Sequence, residues 1–95
     1  MKFYDLSVLV VEEDKERLNK IKESLHNIGF LGGVTRSLGN VRSYLETERY
    51  NFVISKNKPD FDLGNVTHIK TPEDSAASYV FFESRLLQAL FDYKK

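Results

Sequence analysis

The chain has 95 residues, 41% hydrophobic and 29% charged, which is the composition of one small globular domain spanning 1–95. Fourteen basic residues balance fourteen acidic ones, so no net charge draws it to nucleic acid or to an anionic membrane. The sequence has no cysteine, which excludes disulfides, thiolate nucleophiles and cysteine-ligated zinc. Its first apolar run, 6–11, is too short for a signal peptide core or a membrane span, so we expect a cytoplasmic domain.

The first predicted elements are a buried strand and an amphipathic helix. "LSVLVV" (6–11) is almost wholly apolar, as in a strand covered on both faces. Apolar residues then recur at helical spacing, at Leu18, Ile21, Leu25 and Ile28. Asp14 is the expected N-cap of this helix and Gly29 its stop.

The middle of the chain predicts a strand, a shorter helix and a third strand. "FLGGVTRS" (30–37) predicts a second strand, weakened by its two glycines, and "YNFVIS" (50–55) is the third strand. Between them "SLGNVRSYLETER" (37–49) predicts a helix with three inward residues, Leu38, Val41 and Leu45.

A turn-rich loop, 56–65, leads to a short last strand, "VTHIK" (66–70). "TPED" then opens a helix that reaches about Tyr93, with Thr71 as N-cap and Pro72 at its first position. The order of elements predicts a three-layer αβα sandwich with about four mainly parallel strands and three helices. The ten-residue loop is too short for a helical crossover, so we expect the last strand to lie beside the third, in either direction.

The carboxyl ends of parallel strands share one edge of a sheet, and ligands bind there. This places the acids at 12–14, the segment 55–57 and Lys70 together. Acids at this edge either hold a divalent cation or cap a helix and face solvent. His26 and His68 lack metal-ligand spacing, and we interpret both as surface or packing residues.

Three segments carry a resemblance to a known family: "VLVVEEDKERLNKIKESLHNIGF" (8–30), "SLGNVRSYLETERYNFVIS" (37–55) and "HIKTP" (68–72). The first is similar to the first strand, acidic pair and first helix of receiver domains of two-component response regulators. The second resembles their second helix and third strand, and the third their last strand and the start of their last helix. The resemblance implies a shortened flavodoxin-like, receiver-like fold and a truncated, degenerate member of the family, a pseudo-receiver.

In receivers the acidic pair holds magnesium beside an aspartate that ends the third strand and takes a phosphoryl group from a histidine kinase. Glu12 and Glu13 match that pair, and would be the Mg²⁺ ligands if the metal site were kept. Lys70 matches the switch lysine, although Thr71 is inserted before Pro72 and Thr67 replaces the usual aromatic switch residue.

The position of the phospho-acceptor aspartate is occupied by Ser55, or by Lys56 if the third strand is aligned instead. Neither side chain is a carboxylate, which the family's acyl phosphate requires. Asp60 and Asp62 are interpreted as solvated turn residues. We therefore expect a remnant acidic pocket with no catalytic residue, no metal and no cofactor.

The last helix carries more apolar surface than one sheet can cover. One side should face the sheet, through Ala76, Val80, Leu87, Leu90 and Phe91. A second set, Tyr79, Phe82, Leu86, Ala89 and Tyr93, widens the apolar stripe to about 200°, about twice the ~100° that a surface helix needs. Either neighbouring segments cover this surplus, or Tyr79, Phe82, Leu86 and Tyr93 form an interaction surface.

These features predict a receiver-like signalling module that is not phosphorylated, is not an enzyme, and acts by binding a protein partner or by forming a homodimer. Two alternatives stay open. One is a phosphorylatable receiver with an atypical acceptor, and the other is a thioredoxin-like regulatory domain without redox cysteines.

Overall fold

The computed structural model describes residues 6–30, 32–38, 41–73 and 75–93. They form four strands, β1 (Ser7–Val11), β2 (Gly33–Ser37), β3 (Phe52–Ser55) and β4 (Thr67–Lys70), and three helices, α1 (Lys15–Asn27), α2 (Val41–Thr47) and α3 (Ala76–Tyr93). The strand order is β2-β1-β3-β4, with every neighbouring pair parallel. The predicted fold class, a small flavodoxin-like α/β sandwich, is confirmed. The thioredoxin-like alternative required a different strand order.

The sheet lies between two apolar layers because successive residues of a strand point to opposite faces. Val8 and Val10 belong to the larger cluster, together with Leu18, Ile21 and Leu25 of α1 and Phe82, Leu86 and Leu90 of α3. Leu9 and Val53 point the other way, into a smaller cluster against which Val41, Tyr44 and Leu45 of α2 pack. A strand with both faces covered has to be apolar throughout, which accounts for "VLVV".

β3 and β4 are adjacent, as predicted, and they run parallel, with Ser55 opposite Lys70. The connection from β3 to β4 contains no helix. It brings the chain back to the amino-terminal end of the parallel strands and includes a turn at Asp62. The carboxylate Oδ1 of Asp62 accepts from the Gly64 N–H at 2.8 Å, and Gly64 takes a φ of 62°. β4 is an edge strand because it stands last in the strand order.

Local signals set both ends of α1. The Asp14 carboxylate accepts from the Glu16 N–H at 2.9 Å, so the predicted N-cap is confirmed. At the other end Gly29 has a φ of 87°, its N–H donates to the His26 carbonyl, and the Phe30 N–H donates to the Leu25 carbonyl. This is a Schellman motif, and the side chains of Phe30 and Leu25 both belong to the larger apolar cluster.

The predicted cap of the last helix is wrong. α3 begins at Ala76, and Ser75 caps it, because the Ser75 Oγ accepts from the Ser78 N–H at 3.2 Å. Thr71 instead extends the sheet: its N–H donates to the Ser55 carbonyl at 2.9 Å. The pairing with β3 therefore continues one residue beyond β4.

The predicted orientation of α3 is wrong for most of the side that was expected to face the sheet. Of that side, Leu90 is buried and Leu87 packs against the core as expected, whereas Val80 is 66% and Phe91 40% exposed. Phe82 and Leu86 are buried instead, and their neighbour Phe81 is 72% exposed. The interaction surface predicted at Tyr79, Phe82 and Leu86 is therefore core or packed against it, and the side chain of Tyr93 lies outside the described residues. Both sides of α3 are apolar, so periodicity could not decide between them.

Two smaller expectations about the helices have different outcomes. Leu38 precedes α2 and is exposed, contrary to its predicted inward position, whereas Val41 and Leu45 pack inward as expected. None of the described helices combines the length and apolarity needed to cross a membrane.

Candidate functional site at the carboxyl edge of the sheet

The topology brings most of the predicted site residues to one place. β1 and β3 end side by side, and an open cavity of about 700 Å³ at their carboxyl ends is lined by Glu12, Glu13, Ser55 and Lys56, among others. Lys70 ends β4 opposite Ser55 but does not line this cavity. The remnant pocket thus exists as a surface concavity, and its chemistry depends on what these side chains contact.

The Glu12 carboxylate forms an ion pair with an arginine. Its Oε1 lies 3.2 Å from the Arg17 Nε, and only 15% of the Glu12 side chain is exposed. Its Oε2 lies 3.4 Å from the Asp14 N–H. Arg17 also donates from Nη2 to the Pro72 carbonyl at 2.6 Å, so it ties the start of α1 to the segment after β4. The negative charge of Glu12 is therefore compensated within the chain.

A second arginine holds the backbone of the acidic pair. Arg36, in β2, donates from Nε to the Glu12 carbonyl at 2.8 Å and from Nη2 to the Glu13 carbonyl. The Glu13 residue itself is exposed. Within the described residues no group of three or more His, Cys, Asp or Glu side chains is placed to hold a metal ion.

Ser55 is buried at the end of β3, and its hydroxyl makes two contacts. The Oγ lies 2.7 Å from the carbonyl oxygen of Asn57 and 2.8 Å from the Nε2 of His68. Lys56, the other candidate at the acceptor position, is exposed. A serine next to a histidine has the spacing of a nucleophile and its general base, so the proton positions decide what the pair can do.

The single hydroxyl proton of Ser55 resolves this question. A carbonyl oxygen can only accept, so the contact with Asn57 uses the Ser55 proton. The His68 Nε2 must then carry a hydrogen and donate to the Ser55 Oγ. A nitrogen that already holds a proton cannot remove one, so His68 is not a base for Ser55 in this arrangement. The contacts of Ser55 with Asn57 and His68 therefore link the end of β3 to the following turn and to β4.

His68 is mostly buried, and this changes its protonation. Burial is the main cause that lowers the pKa of His68 below its ordinary value, opposed by a hydrogen bond with the Ser55 backbone and assisted by the positive charges of Lys58 and Arg85. The neutral imidazole is therefore the form that the folded chain favours.

We expect the domain to lose stability as the pH falls below about 6.5, the ordinary pKa of histidine. A group whose pKa is lowered by folding is protonated first in the unfolded chain, so its contribution is present above that pH and lost below it. Urea unfolding at several pH values would measure this. His68→Gln should reduce the loss, and His26→Gln, which removes the exposed histidine of α1, should retain it. An unchanged pH dependence in His68→Gln would contradict the assignment.

Sequence reasoning located the candidate site at the carboxyl edge of the sheet but missed the residues that contact its acidic pair and its serine. Arg17, Arg36 and the contact between Ser55 and His68 were not predicted. Arg36 could have been suspected, because it lies in a strand next to β1 and close to the acids, but a basic residue near acids is common on protein surfaces. Asp60 and Asp62 are exposed, in agreement with their interpretation as turn residues.

Comparison of the chain with protein-family models, curated proteins and solved structures finds no match. The fold and its carboxyl edge define a small flavodoxin-like α/β domain. The resemblance to receivers stays a prediction.

Proposed function

We propose that the protein is a receiver-like signalling module that takes no phosphoryl group and acts through protein–protein contacts of its last helix. The observation that carries this proposal is the environment of Ser55. The resemblance aligns Ser55 with the aspartate that a receiver presents, and in this chain the serine is buried and its hydroxyl is engaged with Asn57 and His68.

The chemistry of phosphoryl transfer supports this reading. An acyl phosphate forms on a carboxylate, which is already ionised at neutral pH, whereas a serine hydroxyl must first lose its proton to a base. His68 contacts the Ser55 Oγ, and the contact of that hydroxyl with the Asn57 carbonyl assigns His68 the role of donor. The lysine at position 56 is exposed and carries no carboxylate.

The acidic pair offers further support. A divalent cation at the edge of a receiver compensates the acids and the phosphoryl group. Here the Arg17 guanidinium supplies a fixed positive charge to Glu12, and it reaches the segment after β4 through the Pro72 carbonyl. Arg17 therefore supplies within the chain a positive charge of the kind that a divalent cation supplies in receivers.

An exposed apolar face of α3 offers a surface through which the domain can contact a partner protein. Val80 and Phe81 are mostly exposed on α3, and Phe81 lies beside Ile69 and Lys70 of the edge strand β4. Exposed apolar surface marks interaction sites in soluble domains when it is contiguous, and aromatic side chains are common anchors there. A module with no chemistry at its edge would act through such a surface.

We expect incubation with acetyl phosphate and Mg²⁺ to leave the mass of the intact chain unchanged, because no carboxylate stands at the acceptor position. Intact-mass spectrometry at neutral pH measures this directly. Ser55→Ala is the matched control, since it removes the only hydroxyl at that position. Addition of one phosphoryl group to the wild type that is absent from Ser55→Ala would overturn the proposal.

A further inference from the structure

One side of the β4 backbone has no strand partner within the described residues. The Thr67 and Thr71 N–H groups donate to carbonyls of β3 at 3.0 and 2.9 Å, on the paired side. In a parallel ladder alternate residues pair with the same neighbour, so the N–H and C=O groups of His68 and Lys70 point away from the sheet. Two donors and two acceptors in line are therefore open to a further strand.

A groove runs along this open edge, between β4 and α3. It has a volume of about 180 Å³, and it is lined by Ile69, by residues 70–73 and by four residues of α3: Ser78, Phe81, Phe82 and Arg85. Ile69 and Phe82 are buried, whereas Phe81 is mostly exposed. A cavity of about 150 Å³ can hold benzene, so this groove, which we call the β4 groove, has room for one apolar side chain.

The other face of the β4 edge is basic. His68 and Lys70 alternate with Ile69, a member of the larger apolar cluster, so their side chains lie on the opposite face of the sheet. A concavity of about 310 Å³ on that face is lined by His68 and Lys58, among others. Both lysines are exposed, and neither forms an ion pair with a described residue. Asp62 also lines this concavity, but its carboxylate already caps the turn of the loop.

We infer that β4 binds an extended segment of a partner protein as an additional strand, and that this segment alternates apolar with acidic residues. Side chains of a strand alternate between the two faces of a sheet. One set therefore enters the β4 groove, and the other set lies beside Lys58 and Lys70. The open backbone groups of β4 bind the main chain of the segment, while the groove and the lysines select its sequence.

The charge of this edge favours a partner over a second copy of the chain. Two copies could pair through their β4 edges about a twofold axis, which would bring Lys58 and Lys70 of both copies to the same interface. The sequence of β4, "THIK", offers no acid to compensate them. Lysine on an exposed edge strand opposes pairing with a like edge, whereas an acidic segment meets opposite charge.

A synthetic peptide, Gly-Glu-Leu-Glu-Leu-Glu-Gly, provides the first test. β4 has four residues, and an interface of this size is weak, so we expect saturable binding with a Kd of roughly 10–300 µM by calorimetry. The same peptide with lysine in place of each glutamate should not bind, because its charges repel those of the edge. Absence of saturation by the acidic peptide at millimolar concentration, or equal affinity of the two peptides, would overturn the inference.

Methylation of the peptide backbone separates strand addition from attraction between charges. Every second residue of an added strand turns its N–H towards β4, so these residues are either the two leucines or the glutamates. N-methylation of one set should abolish binding, and N-methylation of the other set should leave most of it. Equal effects of the two methylations, in either direction, would overturn strand addition.

Variants at position 70 test the same site from the protein. Lys70→Glu should weaken binding of the acidic peptide by roughly tenfold or more, whereas Lys22→Glu, on the exposed surface of α1, should not. Lys70→Pro removes an outward N–H without touching the ladder to β3, so it should bind more weakly than Lys70→Ala, which loses only the charge. Circular dichroism checks that each variant is folded. Equal affinities of the proline and alanine variants would contradict the inference.

Sedimentation of the wild type without peptide tests the choice of partner. We expect no self-association through β4. A dimer that Lys70→Pro dissociates would place a second copy at this edge and overturn the proposed occupant.

The inference rests on the proposed function, because it names the chemistry of the partner that the domain contacts beside α3. The two can still fail separately. The peptide titration contains no phosphoryl donor, so a failure to bind would refute the β4 site and leave the absence of phosphoryl uptake standing.

Discussion

Gly32→Ala should unfold the domain or destabilise it by about 3 kcal/mol or more, a large part of the stability expected for a domain of this size. A Cβ built on Gly32 lies 1.9 Å from the carbonyl oxygen of Leu6, which is backbone and cannot move aside as a side chain would. That carbonyl also accepts from the Gly33 N–H at 3.2 Å, so a shift would break a contact that joins β2 to the start of β1. Urea unfolding followed by circular dichroism measures the loss.

The adjacent glycine provides a matched control. A Cβ at Gly33 meets only the Ser7 Oγ, at 3.7 Å, which is an ordinary contact. Gly33→Ala should leave the free energy of unfolding near that of the wild type, and it lies in a strand, where alanine loses less backbone freedom on folding than glycine. Equal losses in the two variants would mean that β2 is destabilised by alanine for some other reason than the approach of Leu6.

The first third of the fold could be predicted because its signals are local. Asp14 caps α1 through a contact two residues away, and Gly29 ends it because a positive φ suits glycine. The position of β4 could also be predicted, since the short connection after β3 leaves few routes. These features depend on neighbouring residues or on chain length, and both are visible in a sequence.

The orientation of α3 could not be predicted because it depends on the whole sheet. Phe81 and Phe82 are adjacent and chemically identical, yet one is exposed and the other buried. The angle at which a helix lies on the sheet follows from the connection before it, and here that connection extends past Thr71 to Ser75. A favourable capping sequence at Thr71 was overridden by its backbone bond to Ser55.

The candidate site also has features that could be predicted from the sequence and features that could not. Topology alone placed Glu12, Glu13, Ser55 and Lys56 around one cavity. The side-chain pairings could not be read from the sequence, because Arg17 reaches Pro72 and Ser55 reaches His68 across long stretches of chain. Those pairings determine whether an acid is available for a cation and whether a hydroxyl can lose its proton.

Phe82→Ala should cost about 3–5 kcal/mol of unfolding free energy, whereas Phe81→Ala should change it by less than about 0.5 kcal/mol. Phe82 is 3% exposed in the larger apolar cluster and meets the ring of Tyr79 edge to face at a centroid distance of 6.5 Å. Removing it leaves a cavity between α3 and the sheet. Phe81 is 72% exposed, so its removal leaves none.

Unfolding of both variants should be measured in dilute solution, because association of the native chain would add apparent stability at high concentration. Under those conditions the two phenylalanines report only on the orientation of α3 in the single chain. Similar unfolding losses in the two variants would place both rings in the core and contradict the orientation of α3 in which Phe81 is exposed.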